Sequence, residues 1–275
     1  MLSFILLSCQ SSYDDTNVNE EKKSLSKKMG QLSIGEIHNE LLTYTYTEYQ
    51  PLDDLNSLED KLTDLANFQS EYLQSFDNSS VDMNYAISHI NDVKEFYLLE
   101  NSMDLFLNGI EINRNIKTLH EMNEYLLEVG AISNFDKSIV DDVLISLDNN
   151  LNGELSNKEL YNKLLVHKDN WVESQSNAIN KGADFSFIIL DIGINSLEWW
   201  ENNPNAPIMQ TNALPAWIAT DIVGAIGGAG LAAISQHILN DGKINWKLVA
   251  AAGLTTAITA STGVFGKIGK WLVKK

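Results

Sequence analysis

The chain has 275 residues and a formal net charge of −18, which is long enough for a substantial core and one or two domains. Arg114 is its only arginine, and an acidic chain with no basic face excludes nucleic acid as a partner. The charge is uneven: from Trp217 onward six lysines stand against Asp221 and Asp241, leaving 13 basic and 35 acidic residues in 1–216. A body of charge −22 is therefore followed by a tail of charge +4.

The single cysteine, Cys9, closes the apolar run Leu6-Leu7-Ser8-Cys9. This run resembles the lipobox of bacterial lipoproteins, which implies cleavage after residue 8 and acylation of Cys9. No basic segment precedes Leu2, so a start upstream of Met1 is expected. Residues 9–33 are polar and lack apolar periodicity, and they read as a disordered tether. Asp14-Asp15 resembles the acidic stretch after the cysteine in surface-exported lipoproteins of Bacteroidetes. The expected location is the cell envelope, on the outer membrane, with the membrane as partner through acylated Cys9.

The ordered part begins at Ser33-Ile34-Gly35-Glu36-Ile37-His38-Asn39-Glu40-Leu41-Leu42. His38 lacks a second His at i+4 and a nearby Cys, so zinc spacing is absent, and the His-Asn pair reads as packing near a helix start. Leu42-Thr43-Tyr44-Thr45-Tyr46 is the one stretch with strand-like alternation. Leu52, Leu55, Leu58, Leu62, Leu65, Phe68, Tyr72 and Phe76 then follow at helical spacing behind Pro51. Met83–Tyr97 and Ile116–Val129 give two more amphipathic helices, so the fold class is mainly α.

Asp148-Asn149-Asn150-Leu151-Asn152-Gly153-Glu154-Leu155-Ser156-Asn157-Lys158-Glu159 fits the EF-hand calcium loop. Asp148, Asn150, Asn152 and Glu159 stand at side-chain ligand positions, and Glu154 at the position that lends its carbonyl. Apolar residues on both sides suit helix–loop–helix. The competing reading is metal-free: Asn-Gly is a common turn, and Ser156 with Glu159 forms a capping box that starts the next helix. No second loop pairs with this one, and two carboxylates predict weak affinity.

Phe185 to Trp200 is densely apolar but interrupted by Asp191 and Glu198, and reads as a buried core helix rather than a span. Asp184 and Asp191, seven apart, read as solvated or capped acids rather than an acid–base pair. Three prolines between 204 and 215 mark a break. The expected organisation is a signal at 1–8, a tether at 9–33, an acidic helical domain at 34–203, a Pro/Asn linker at 204–216 and an antiparallel helical hairpin at 217–275.

In the hairpin, two Gly/Ala-rich segments flank Asn240-Asp241-Gly242-Lys243. Pro215–Leu239 would be about 37 Å long as a helix and Trp246–Phe265 about 30 Å, matching a bilayer core of about 30 Å. Gly224, Gly228 and Ala232 form one small-residue stripe, and Gly253, Ala257 and Ser261 another, a pattern that lets helix backbones approach closely. Trp217, Trp246 and Trp271 lie near segment ends, where indoles prefer the interface. Asp221 weighs against spanning. The alternative is a hairpin docked on the body.

The tail resembles the glycine-zipper, class II bacteriocin-like segments of some exported bacterial proteins. The chain also resembles a group of uncharacterised Bacteroidetes proteins with an early Gly-x-x-His-Asn-x-x-Leu element (Gly35 to Leu42), a late Trp (Trp199-Trp200) and D-x-x-G-A-x-x-G (Asp221 to Gly228). The bacteriocin likeness implies membrane action by analogy. The expected function is that of a lipid-anchored envelope protein with a membrane-active hairpin; the alternative is a calcium-binding module that orders the body. Neither G-x-S-x-G, H-E-x-x-H nor a Cys–His pair is present, so no enzyme is expected.

Overall fold

The computed structural model describes residues 32–49, 58–76, 78, 80–98, 116, 118–176, 185–203 and 214–261. Cys9, the signal, most of the tether, Asp184, the prolines at 204 and 207, and Trp271 lie outside the described residues. The described chain is helical and contains no strand. In chain order the helices are α1 (Ile34–Glu48), α2 (Leu58–Leu73), α3 (Met83–Leu98), α4 (Leu119–Glu128), α5 (Asn134–Leu151), α6 (Asn157–Ser176), α7 (Phe185–Asn202), α8 (Leu214–Leu239) and α9 (Trp246–Ser261).

Several starts follow from local chemistry. Ser33, Thr118 and Ser133 each accept the N3 backbone N–H while the N3 acid (Glu36, Glu121 or Asp136) returns a bond to the cap backbone. Each reciprocal cap is worth about 1 kcal/mol. The strand-like stretch Leu42–Tyr46 is instead the second half of α1. Its alternation is outweighed by four-residue pairing against another helix: Leu41, Leu42 and Thr45 are buried, and Thr43 and Thr47 return their hydroxyls to the carbonyls of Asn39 and Thr43.

The two tail helices lie at the centre. Every residue from Trp217 to Ile234 is buried, and from Val249 to Ser261 only Thr256 is not. A helix without a polar face must be enclosed by protein or lipid; here protein encloses it. α8 packs along α9 and also touches α7, α4 and α5, while α9 touches α3, α1 and α7. α8 is the one described helix long and apolar enough to cross a membrane, and 89% of its most apolar window is buried. One contiguous core joins hairpin residues such as Ile226 and Leu254 to body residues such as Leu41, Leu126 and Phe185. The hairpin closes through Asp241 (φ 50) and Gly242 (φ 82), with Gly242 N–H donating to the His237 carbonyl at 2.8 Å.

Small residues set the α8–α9 distance. A Cβ on Gly228 would lie 2.5 Å from the Ala252 carbonyl oxygen and 2.4 Å from Thr256 Oγ1. A Cβ on Gly224 would lie 3.0 Å from Ala257 Cα. Gly253 faces Ala229, Ala225 and Ile188. Ala232 is buried on the far part of α8, and Ser261 ends the described part of α9.

Candidate functional site: a buried polar hub

Helices α1 and α7 run parallel and in register. Gly35 N–H donates to Asp191 Oδ2 at 2.8 Å, Asn39 Nδ2 to the Asn195 carbonyl at 2.8 Å, and Trp199 Nε1 to Thr43 Oγ1 at 2.9 Å. Both helices thus present residues four apart to one seam, as ridge packing requires. Gly35 is needed for the contact, because a Cβ there would meet the Asp191 carbonyl oxygen at 2.2 Å. Asp191 is buried and also receives Lys168 Nζ at 2.8 Å from α6. It is therefore a link between three helices.

The seam places His38 against α8. His38 and Asp221 are both 0% exposed, with His38 Nε2 3.8 Å from Asp221 Oδ2. Asp221 Oδ2 accepts Ser196 Oγ at 2.6 Å and Trp200 Nε1 at 2.7 Å, both from α7. Asp221 Oδ1 is bonded to Ser261 Oγ of α9. Tyr46 closes the group: its hydroxyl donates to the Ser261 carbonyl at 3.0 Å, and its ring stacks on Trp199 at 5.1 Å. Four helices meet at one carboxyl group.

Their hydrogen-bond partners fix the protonation states of His38 and Asp221. Asn39 Nδ2 is donated to Asn195, so its Oδ1 is the atom facing His38 Nδ1 at 3.2 Å. His38 therefore donates from Nδ1, and its Nε2 carries no proton in the neutral ring. Nε2 is buried and has no hydrogen-bond partner. Burial holds the His38 imidazole below its ordinary 6.5, against the pull of Asp221 and Asn39. Burial likewise pushes the Asp221 carboxyl up, against the pull of His38 and of its hydrogen bonds with Ser196, Ser261 and Trp200, and pushes the Tyr46 phenol up. Ser261 has one hydroxyl proton and lies between Asp221 Oδ1 and the Ala257 carbonyl, 2.8 Å away. A protonated Asp221 satisfies both, donating to Ser261 Oγ while Ser261 donates to Ala257. A neutral pair also avoids the cost of burying charge.

Ser196, His38 and Asp221 are the residue types of a nucleophilic triad, but Ser196 donates to the acid and not to the base. Geometry, not composition, defines that machinery. Every member is enclosed, so the hub holds protons and joins helices. The Gly35–Leu42, Trp199-Trp200 and Asp221–Gly228 elements, quoted above for one resemblance, lie in three different helices; the fold brings Gly35, His38, Asn39, Trp199, Trp200 and Asp221 to one seam.

The EF-hand-like residues form a tight helix–turn–helix. Asp148 and Asn150 lie within the last turns of α5, and Asn152 is its C-cap. Asn150 is buried and its Nδ2 donates inward to the Leu155 carbonyl at 2.8 Å and Asn157 Oδ1 at 3.0 Å. Gly153 takes φ 77, and the N–H groups of Glu154 and Leu155 return to the Asn149 carbonyl. The Glu159 carboxylate accepts Ser156 Oγ at 2.6 Å and Ser156 N–H at 2.8 Å, bonds that hold it below the usual carboxylate range. Calcium would have to displace these bonds. Among the described residues no group of three or more His, Cys, Asp or Glu converges as a metal site. No family model, curated protein or solved structure matches the chain.

Proposed function

We propose that this chain is a lipid-anchored cell-envelope protein that carries a membrane-active helical hairpin folded inside an acidic helical shell. The observation that carries the reading is α8: 26 residues, buried on every side from Trp217 to Ile234. An ordinary amphipathic core helix keeps a polar face toward water; α8 has none, and neither does the buried stretch of α9. Both segments therefore suit hydrocarbon as well as protein, and their small-residue contacts would survive the exchange, because close backbone packing does not depend on water. Apart from the buried Asp136 and Asp191, the shell helices carry most of their described acids at the surface, which would keep the stored form soluble. The lipobox-like Cys9 would hold the protein at a bilayer, and release of the hairpin would then place it in that bilayer.

Dye release from vesicles of neutral and of anionic lipid, with the full chain added at pH 7.5 and at pH 5.5, tests this. Release together with flotation of the protein with the vesicles is the expected result. Absence of both, with either lipid and at either pH, refutes the reading.

A further inference from the structure

The hub lies where α8 is joined to the shell. Asp221 is the only formally charged residue type in α8, and its partners come from α1, α7 and α9. We propose that His38 and Asp221 form a proton-operated latch on the hairpin, so that acidification favours transfer of α8 and α9 from the helical shell into a bilayer. This rests on the membrane-active reading above.

The geometry gives the latch its direction. In the docked form Nε2 of His38 is bare and enclosed, 3.8 Å from Asp221 Oδ2. Oδ2 already accepts from Ser196 and Trp200, so a proton on Nε2 would gain a hydrogen bond there only by displacing one of them. When α8 leaves, His38 remains on the shell and meets water. Above its ordinary 6.5 both forms are neutral and pH has no effect through this group. Below that value the released imidazole takes up a proton that the docked one does not, so the docked form loses stability as pH falls, down to the lowered value of the docked ring. Asp221 has the opposite sign if it is released into water, where its carboxyl ionises. Carried into hydrocarbon it stays protonated, and its contribution vanishes. Net proton uptake therefore accompanies insertion, and is largely cancelled by Asp221 when the hairpin opens into water.

Other titratable groups on the surrounding helices are engaged or distant. On α7, Asp191 is held by Lys168 and Gly35, and Glu198 by Tyr161. On α2, Asp64 accepts the Tyr49 hydroxyl and Asp60 and Glu71 are exposed. On α1 itself, Glu36 caps Ser33 and Glu40 and Glu48 are exposed. On α9 the described cation is Lys247, exposed at the opposite end, and on α8 His237 lies in the last turn. Asp221 is the carboxyl group that faces His38 Nε2, at 3.8 Å.

The experiment compares the full wild-type chain with His38→Gln, which keeps a polar amide and removes the titration. Insertion into vesicles, read by flotation, should rise in wild type relative to His38→Gln by up to about tenfold for each pH unit below 6.5, the limit for one proton. The acidic shell is common to both chains and cancels in the ratio. Equal pH profiles overturn the latch. A second measurement needs no variant: the His38 imidazole resonances of the folded wild-type chain in lipid-free buffer. A neutral ring down to pH 5.5 supports the latch, and titration at or above 6.5 overturns it. If neither chain inserts at any pH while the His38 ring stays neutral, the membrane reading fails and the assigned docked state of the hub stands.

Discussion

Two neighbouring glycines of α8 should respond to alanine with opposite signs. At Gly228 the new Cβ would lie 2.5 Å from the Ala252 carbonyl oxygen, 2.4 Å from Thr256 Oγ1 and 2.7 Å from Thr256 Cβ. Thr256 could rotate its hydroxyl away, but a backbone carbonyl cannot move without shifting α9. Forcing a methyl into such a contact costs about 1–3 kcal/mol or more, partly offset by about 1 kcal/mol of improved helix propensity. Because the obstructing atom is backbone, the upper part of that range applies, and a net loss of about 2 kcal/mol is expected. At Gly227 a Cβ meets nothing within 4 Å, although the residue is buried. There only the propensity gain remains, about 0.5–1 kcal/mol of stabilisation. Urea unfolding of the full chain, followed by tryptophan fluorescence, measures both. A Gly228→Ala chain as stable as Gly227→Ala would refute the claim that α8 and α9 are in backbone contact at Gly228.

Two further outcomes follow from the hub and the turn. Asp221→Ala leaves Trp200 Nε1 and the Ser196 hydroxyl without the acceptor they share, and should cost about 2–6 kcal/mol by the same unfolding assay, about 1–3 kcal/mol for each orphaned donor; a loss under about 1 kcal/mol would mean the hub does not hold the helices together. At the α5–α6 turn, the bonds of Glu159 to Ser156 predict no saturable heat on titration with calcium below the millimolar range, and Glu159→Gln should weaken the start of α6 whether or not calcium is present. Saturable micromolar binding in wild type, lost in Asp148→Ala, would overturn the metal-free account of that turn.

Much of the helical layout was legible without coordinates. Leu65, Phe68, Tyr72 and Phe76, or Ile139, Val140, Val143, Leu144 and Leu147, announce a helix and its buried face by spacing alone, because a helix returns to the same side every three to four residues. The turn at Asn240–Lys243 was equally plain, since Asp-Gly readily supplies left-handed backbone. Leu42–Tyr46 misled because Thr and Tyr suit strands locally, while the pairing that fixes them as helix lies 156 residues away at Trp199.

The sequence by itself determined that the chain is mainly α, that its charge divides into an acidic body and a mildly basic tail, and that the tail forms two Gly/Ala-rich helices around a polar turn. These are properties of composition and period, which local physics reads directly. Only the tertiary structure decided what α8 faces. In the sequence Asp221 is a charged residue that weighs against an apolar helix, and His38 is a lone imidazole near a helix start. The fold encloses both and supplies Ser196, Trp200 and Ser261 from elsewhere in the chain. The price of burying a polar group depends on its partners, and those partners are 25, 21 and 40 residues distant along the chain. Spacing within one helix carries no information about contacts between helices, so the hub became visible only once the helices were packed.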